Sequence, residues 1–425
     1  MTNQNPPYKN ILYDSTIIAG GNVHIGDINY IVEQDFQHSI LFLRIEPMAD
    51  GEYAAQLTLK SQHLKKAAVP LLKENIRLSI APELFQQVDA FQELRRMNEA
   101  TFRNLRGLDL DASLLDEAQL GKNLFDAFFT GDILSVCRDF VTLLEKRKIE
   151  ELILAISTSD TEVLNLPFEM AIPYFFPEIR SAERQSLAVA HFGLVRTMER
   201  DLLQFDMQGK PASAAPLKML FVTALPENLD ERAKLLEIEE EQKRLIDAIG
   251  SFEATGGAPK IVIEFLDTAS LGEISEALRK HRHDIVHISG HGSYQKEVKQ
   301  GVLHLEDEEG NHREVLGKEL GEILRQPQCV KLLILSACET AMAGDGVLEQ
   351  LADFGLPAMV AMRFPVTDIG AKVFTTALYG GLSKGETLTL ALAEARESLW
   401  AFVQEQRRLD PERLHLGEWL RRSST

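Results

Sequence analysis

Two stretches decide the fold and function of this sequence: HDIVHISGHG at residues 283–292 and LLILSACET at residues 332–340. Each is an apolar run with the length of a buried strand, and each stops at a turn of small residues. The first turn carries His291, and the second carries Cys338, 47 residues later. We therefore expect a histidine and a cysteine at the ends of two strands.

This pair suits nucleophilic catalysis. A cysteine attacks a carbonyl as its thiolate, and a nearby histidine can take the thiol proton and later protonate a leaving amine. Gly292 has no Cβ, so a substrate carbonyl can approach the backbone there, which predicts an oxyanion-binding position. A single cysteine after a strand is usually a small core residue. The order, the spacing and the matched strand-end positions together favour a catalytic pair, because caspase-like peptidases carry their histidine about 50 residues before the cysteine.

The flanking sequence predicts an α/β fold with a largely parallel sheet flanked by helices. Four apolar runs, LKMLFVTAL, IVIEFLD, DIVHISG and KLLILSA, alternate with helical patterns, which is typical of strands joined by crossover helices. Ligand sites in such sheets form at the carboxyl ends of the strands. If the strands before His291 and Cys338 are neighbours, the imidazole and the thiol face each other across one crevice.

The sequence divides into four parts. Residues 1–36 predict a small β-hairpin, and residues 37–205 an α/β half without a His-Gly or Ser-Ala-Cys motif. In that half we expect two strands between Ser39 and Lys60, a helical stretch from Leu120 to Lys148, a strand in IEELILAIS, and a strand exit broken by Pro167 in LNLPFEM. Residues 206–216 predict a linker, and residues 217–425 the catalytic half with a C-terminal helix and basic tail.

Composition excludes several classes of protein. A net charge of −19 over 425 residues argues against a nucleic-acid-binding surface. Three cysteines and no signal-peptide pattern favour the reducing cytoplasm. No apolar stretch is long enough to cross a membrane, and no phosphate-binding glycine loop predicts a nucleotide cofactor, so no cofactor is expected.

We also expect no metal site. Four histidines lie close together in the sequence, but their side chains should point in different directions, and a second ligand cluster is missing from the pattern. His287 lies inside a strand, where we expect it to be a packed residue. The four are His281, His283, His287 and His291.

The motifs resemble those of the CHAT domain family, bacterial relatives of caspases and separases. The matching segments are HISGHG at residues 287–292, LSACET at residues 335–340 and LPFE at residues 166–169, and the resemblance extends roughly from Ser39 to Trp400. It implies that His291 is the general base and Cys338 the nucleophile, with the backbone amides of Gly292 and Cys338 as the oxyanion hole. It also implies that residues 37–205 form a supporting pseudo-caspase half.

Two carboxylates are candidates for the substrate pocket. By the resemblance, Phe364 stands where relatives carry tryptophan, and Asp368 where separases place a carboxylate that binds a basic side chain before the cleaved bond. Asp368 could equally cap a helix starting near Ile369. Asp345, in the Gly-Asp-Gly turn after Cys338, competes for the same role. Ser336 stands where metacaspase-like enzymes have aspartate, which weakens a prediction of lysine or arginine specificity.

These observations predict a cysteine endopeptidase that cleaves a specific protein partner, regulated within a bacterial defence or programmed cell death system, as the resemblance implies. The alternative is a catalytically silent scaffold with the same fold that binds partners in a signalling complex. A small-molecule hydrolase is a third, weaker candidate. The hairpin at residues 1–36 is either a simple flap or a docking site for an activating sensor or partner.

Overall fold

The computed structural model divides the chain into two compact units, Met1–Phe91 with Leu108–Pro211 and Gln92–Gly107 with Ala212–Thr425. The predicted hairpin at residues 1–36, residues 206–215 of the linker predicted at 206–216, and residues 410–425 of the predicted tail lie outside the described residues. The structure describes residues 38–61, 69–72, 75–96, 117–145, 151–175, 192–197, 216–227, 242–243, 245–247, 249, 261–295, 298, 300–325, 330–337, 340, 346–352, 354, 356–362 and 368–409.

The first unit contains a mixed sheet. Its strands are β1 His38–Pro47, β2 Tyr53–Ser61, β3 Val69–Pro70, β4 Ile76–Leu78, β5 Glu151–Thr158 and β6 Phe192–Thr197. They lie in the order β3-β2-β1-β5-β6, with β4 also paired to β2. β1 and β2 are antiparallel, whereas β1, β5 and β6 run parallel. Gly51, with a φ of 83°, makes the β1–β2 turn, because residues with a Cβ rarely adopt this backbone conformation.

Helices of the first unit correct two predictions. The helical stretch predicted from Leu120 to Lys148 is two helices. The break comes before Gly131, whose φ of 50° is a backbone conformation that residues with a Cβ rarely adopt. The strand exit expected in LNLPFEM is instead the end of a short helix followed by a 3-10 helix, in which Phe168 and Phe175 are buried against Phe128 and Phe129. Helix α1, Pro82–Arg96, begins in the first unit, and its residues from 92 on belong to the second. The other helices of the first unit are α2 Glu117–Phe128, α3 Gly131–Glu145, α4 Thr161–Leu164 and the 3-10 helix Phe168–Phe175.

The second unit is built on a parallel sheet. Its strands are β7 Leu217–Thr223, β8 Ile261–Leu266, β9 Ile285–Ser289, β13 Leu332–Ser336 and β14 Ala358–Ala361. They lie in the order β14-β13-β9-β7-β8. Every pairing in the sheet is parallel, which confirms the predicted arrangement. All of β9 and β13 is buried, as expected for strands covered on both faces.

Helices cover both faces of this sheet, because the strand side chains alternate between two apolar layers. The helices are α5 Leu271–Lys280, α6 Gly317–Arg325, α7 Val347–Ala352, α8 Asp368–Lys384 and α9 Leu388–Leu409. Val286, Ile288 and Leu333 pack with α5, α6 and α7 on one face. Ile285 and Ile334 pack with α8 and α9 on the other.

A second, three-stranded sheet in the same unit follows β9 directly. Its antiparallel strands are β10 His291–Gln295, β11 Gln300–Glu306 and β12 His312–Leu316. The sequence predicted His291 in a turn, whereas it is the first residue of β10. Leu303, Leu305 and Val315 are buried in the layer that also contains α5 and α6, so one face of the small sheet packs on the core.

The predicted α/β class is therefore confirmed. No helix among the described residues combines the length and the apolar character needed to cross a membrane.

Candidate active site

The two strands that lead to His291 and Cys338 are direct neighbours. β9 and β13 pair in parallel, and their last residues, Ser289 and Ser336, are partners in the register. Beyond the last pair, the N–H of Gly290 donates to the carbonyl of Ser336 over 3.2 Å. The condition stated from the sequence is thus met, since both strands end side by side at one edge of the sheet.

His291 and Gly292 begin β10, two residues after the end of β9. The side chain of His291 is half-buried. Gly290, between the two strands, is packed closely against β7, since a Cβ there would lie 2.8 Å from the Cβ of Ala224. The first glycine of the SGHG turn is therefore required by packing, and it brings the chain close to the β7 end before His291.

Cys338 and Glu339 lie outside the described residues, and Ala337 and Thr340 flank them. Ala337 and Thr340 are both buried, each 1% exposed. The hydroxyl of Thr340 donates to the carbonyl of Ala337 over 2.8 Å. This bond joins the two residues that flank Cys338 and Glu339 in the chain. Sequence reasoning missed the role of Thr340, although the residue belongs to the LSACET motif.

The segment after this turn is fixed to the small sheet. The N–H of Leu348 donates to the carbonyl of Thr340 over 3.1 Å. The side chain of Gln350, 4% exposed, donates to the carbonyl of Gly301 at the start of β11 over 3.1 Å. A Cβ on Gly301 would lie 2.7 Å from the backbone nitrogen of Val347. α7 and the small sheet are therefore in backbone contact, which links the regions following Cys338 and His291.

The side chains of the two substrate-pocket candidates, Asp345 and Asp368, lie outside the described part of the chain. Asp345 lies outside the described residues, as does Phe364. Asp368 is the first residue of α8, one position before the predicted helix start, and its side chain is not among those described. Its roles as pocket residue and as helix cap both stay predictions.

His287 is a core residue, as the sequence predicted. It is 0% exposed, lies against Phe221 and shares a hydrogen bond of 2.8 Å between its Nδ1 and the Tyr379 hydroxyl. Burial lowers the pKa of His287 to about 3. Because the side chain stays neutral at physiological pH, and because Tyr379 belongs to α8, its role is packing between sheet and helix rather than proton transfer.

Two of the four neighbouring histidines, His281 and His283, precede β9 in the chain. The ring of His283 is buried and bonded to Glu264 over 2.9 Å. His281 is the C-cap residue that follows the last residue of α5, Lys280. Both lie on the strand-entry side of β9, and His291 follows its exit.

The sequence analysis did not predict a cluster of His304, His312 and Glu314. His304 on β11 pairs in register with His291 on β10 and with Glu314 on β12. Nδ1 of His304 lies 2.7 Å from Nε2 of His312, and its Nε2 lies 2.9 Å from the Ser293 hydroxyl. Burial lowers the pKa of His304, and the nearby His312 and His291 lower it further against the opposing effect of Glu314. The N–H of Asp307 donates to the carbonyl of Asn311 over 2.8 Å, and a register counted outward from these two residues places His304 opposite Glu314.

Comparison with known proteins identifies the family of the chain. The family model described as the CHAT domain matches residues 118–412, a range that contains both strand ends and all of the second sheet. A comparison with curated proteins found no match. Because the family match covers well over half of the chain, the protein belongs to the CHAT domain family, which is related to the caspase-like cysteine peptidases.

Proposed function

We propose that the protein is a cysteine endopeptidase in which His291 is the general base and Cys338 the nucleophile. The observation that carries the proposal is the register of Ser289 with Ser336 at the ends of two adjacent strands. Each reactive residue follows its strand end by two positions. Paired strands lie about 4.8 Å apart, and two residues span at most roughly 7 Å, so the imidazole and the thiol can reach each other.

The turn geometry supports the same chemistry. The Thr340 hydroxyl bonds to Ala337, across the position of Cys338 in the chain, and the Gly290 N–H bonds to Ser336 at the end of the neighbouring strand. A nucleophile and base held on fixed strand ends need little reorganisation to reach a reactive geometry. The backbone N–H groups of Gly292 and Cys338 are the proposed oxyanion donors, as they are the amides next to the base and at the nucleophile.

Substrate choice is a separate part of the proposal. We assign recognition of a basic side chain to Asp368 or Asp345, since either carboxylate could pair with lysine or arginine. Changing each to asparagine separately and mapping cleavage sites on a peptide library distinguishes them: the variant of the true pocket residue loses its preference for basic residues, whereas the other keeps it. The cellular role proposed, from the family resemblance, is cleavage of a specific protein in a bacterial defence or cell death system in the cytoplasm.

The test uses full-length protein and a peptide library, with cleaved bonds identified by mass spectrometry. Wild type should generate a defined set of new termini. Cys338→Ala and His291→Ala should each lower the rate at least roughly 1,000-fold, the scale expected when a catalytic pair loses one member. Cys329→Ala and His281→Ala are the matched controls and should cleave at the wild-type rate. Cleavage that persists in Cys338→Ala would contradict the proposal, and a wild type that binds partners without cutting would favour the scaffold alternative.

A further inference from the structure

The small sheet of β10, β11 and β12 has two chemically different faces. Residues that are direct partners across antiparallel strands share a face, so Gly292, Leu303 and Val315 form one row and His291, His304 and Glu314 the next. Leu303 and Val315 are buried in the core. The row of His291, His304 and Glu314 therefore lies on the opposite face, together with Ser293 and His312, which are two positions away along their strands.

On this face three metal-binding groups converge. The ligand atoms of His304, His312 and Glu314 all lie within 4.8 Å of one another, and among the described residues they are the one such group. The rings of His304 and His312 are nearly parallel, with centroids 4.9 Å apart. We propose that His304, His312 and Glu314 form a binding site for a divalent transition-metal ion, with Zn²⁺ as the best-matched ion. Two imidazoles and one carboxylate are a donor set that Zn²⁺ prefers.

The side chains need only a small movement to close on an ion. Zn²⁺ binds imidazole nitrogen at about 2.0–2.1 Å, which places two nitrogens in a tetrahedral site about 3.3 Å apart. Nδ1 of His304 and Nε2 of His312 are 2.7 Å apart, so they must separate by roughly half an ångström. The two histidines are partly buried and Glu314 is exposed, which gives an ion access from solvent.

Ser293 supports the tautomer that an ion requires. Its hydroxyl lies 2.9 Å from Nε2 of His304. When Nε2–H donates to that oxygen, the lone pair of Nδ1 points toward His312, and the ion replaces the proton that the two rings otherwise share. Histidine ligands commonly have their second nitrogen held in this way. Ser293 is therefore a positioning residue for the site.

The position of the site suggests a consequence that rests on the proposed function. Three protein ligands leave a fourth position of tetrahedral Zn²⁺ open, and His291 is the direct strand partner of His304. We expect the ion to take the His291 imidazole as that ligand, which withdraws the general base. Zn²⁺ would then inhibit the peptidase through a site that does not include Cys338.

Binding is tested first, in a Cys338→Ala background so that the cysteine cannot supply a ligand. Equilibrium dialysis of the full-length protein against Zn²⁺ should give one ion per chain. Adding Glu314→Gln or His312→Ala should weaken binding at least about 100-fold, and adding Ser293→Ala about 10- to 100-fold. Glu309 is an exposed residue in the turn between β11 and β12. Adding Glu309→Gln makes the same charge change there and should leave binding unchanged. Thermal melting of each variant checks that it is folded; Glu314 is exposed, so its variant is not expected to unfold.

The outcomes separate the two proposals. Zn²⁺ binding that is absent, or unchanged in folded Glu314→Gln, overturns the metal site, whether or not the protein cleaves peptides. In the peptidase assay, Zn²⁺ should inhibit the wild type, and Glu314→Gln should need at least about tenfold more Zn²⁺ for the same inhibition. One bound ion with equal inhibition of both proteins overturns the regulatory consequence alone. A wild type without peptidase activity contradicts the proposed function and leaves the dialysis result to decide the site.

Discussion

The two units of this protein use the ends of their parallel strands differently. In the first unit, β5 ends at Thr158, followed by Ser159 and Asp160, and these side chains are used in local bonds. Asp160 caps α4 by accepting the N–H groups of Glu162 and Val163, and it also accepts the Tyr53 hydroxyl over 2.9 Å. In the second unit, β9 and β13 end in Ser-Gly and Ser-Ala. These small residues lead in the chain to His291 and Cys338.

The difference shows how one type of sheet can serve either structure or chemistry. A strand end whose polar groups bond to neighbouring helices stabilises the fold and leaves no group to react. A strand end of small residues leaves space at the edge of the sheet for the side chains that follow it in the sequence. Changing one strand end or the other should therefore affect either activity or stability.

The largest effect is expected from Thr340→Val. This change removes the hydroxyl that donates to the carbonyl of Ala337, the residue before Cys338. Displacement of a nucleophile by about 1 Å can cost roughly 100-fold in rate, so kcat/KM should fall about 100-fold with Cys338 still present. Thr340→Ser keeps the hydroxyl and should restore most of the activity.

The matched control lies at the strand end of the first unit. The hydroxyl of Thr158 accepts the Asp160 N–H over 3.0 Å, so Thr158→Val also removes a bond between a threonine hydroxyl and the backbone, in the first unit. It should leave kcat/KM unchanged. Equal losses of activity in Thr158→Val and Thr340→Val would mean that the two strand ends do not differ in the way described.

The next effect concerns the interior of β9. The unfolded chain holds the imidazole of His287 at its ordinary pKa near 6.5, whereas burial lowers the pKa to about 3 in the folded protein. Between these values the unfolded chain binds one more proton, so stability is lost as pH falls from 6.5 toward 3. At pH 5 this group alone should lower the free energy of unfolding by about 2 kcal/mol relative to pH 7.5.

Urea unfolding of wild type and His287→Gln at the two pH values measures this contribution. Both proteins contain the same other titrating groups, so the comparison isolates His287. The variant should show a smaller loss of stability on acidification, whatever its stability at pH 7.5. An identical pH dependence in the two proteins would contradict the assignment of His287 as a neutral core residue.

The smallest effect is expected at the strand end of the first unit. Asp160→Ala removes the cap of α4 and the acceptor of the Tyr53 hydroxyl. We expect a loss of about 1 kcal/mol in the free energy of unfolding, measured by urea denaturation, with peptidase activity retained. Burial, followed by the bond to Asp160, raises the pKa of Tyr53, so the variant should also lower that pKa in an ultraviolet titration. A loss of activity without a loss of stability would be inconsistent with a structural role.

Much of this arrangement could be predicted from the sequence, because buried parallel strands have strong patterns. The runs IVHIS and LLILS are apolar throughout, apart from His287 and the final serines, and both are strands as predicted. β10 was missed because HGSYQ has no alternation of apolar and polar residues. It forms a strand since it pairs with the edge of β11, which is a tertiary effect that its own sequence does not encode.

The same limit explains the other errors. Phe168 and Phe175 were not assigned to a helix because a 3-10 helix lacks the 3.6-residue period, and their burial depends on Phe128 and Phe129 in α2 and the residue after it. The cluster of His304, His312 and Glu314 was missed since its members become neighbours only through the hairpin register. The strand ends that precede His291 and Cys338 could be predicted, whereas the groups that surround His291 depend on long-range pairing.

The central claim is that His291 activates Cys338, and alkylation tests it without any substrate. At about pH 6.5 an ordinary thiol, of pKa near 8.5, is almost fully protonated and reacts slowly with iodoacetamide. Cys137 serves as an internal reference, because burial raises its pKa to about 12. Mass spectrometry should find Cys338 labelled at least about tenfold faster than Cys137, and His291→Gln should slow Cys338 labelling at least about tenfold while His281→Gln does not. A Cys338 labelling rate that is the same in wild type and His291→Gln would contradict the claim.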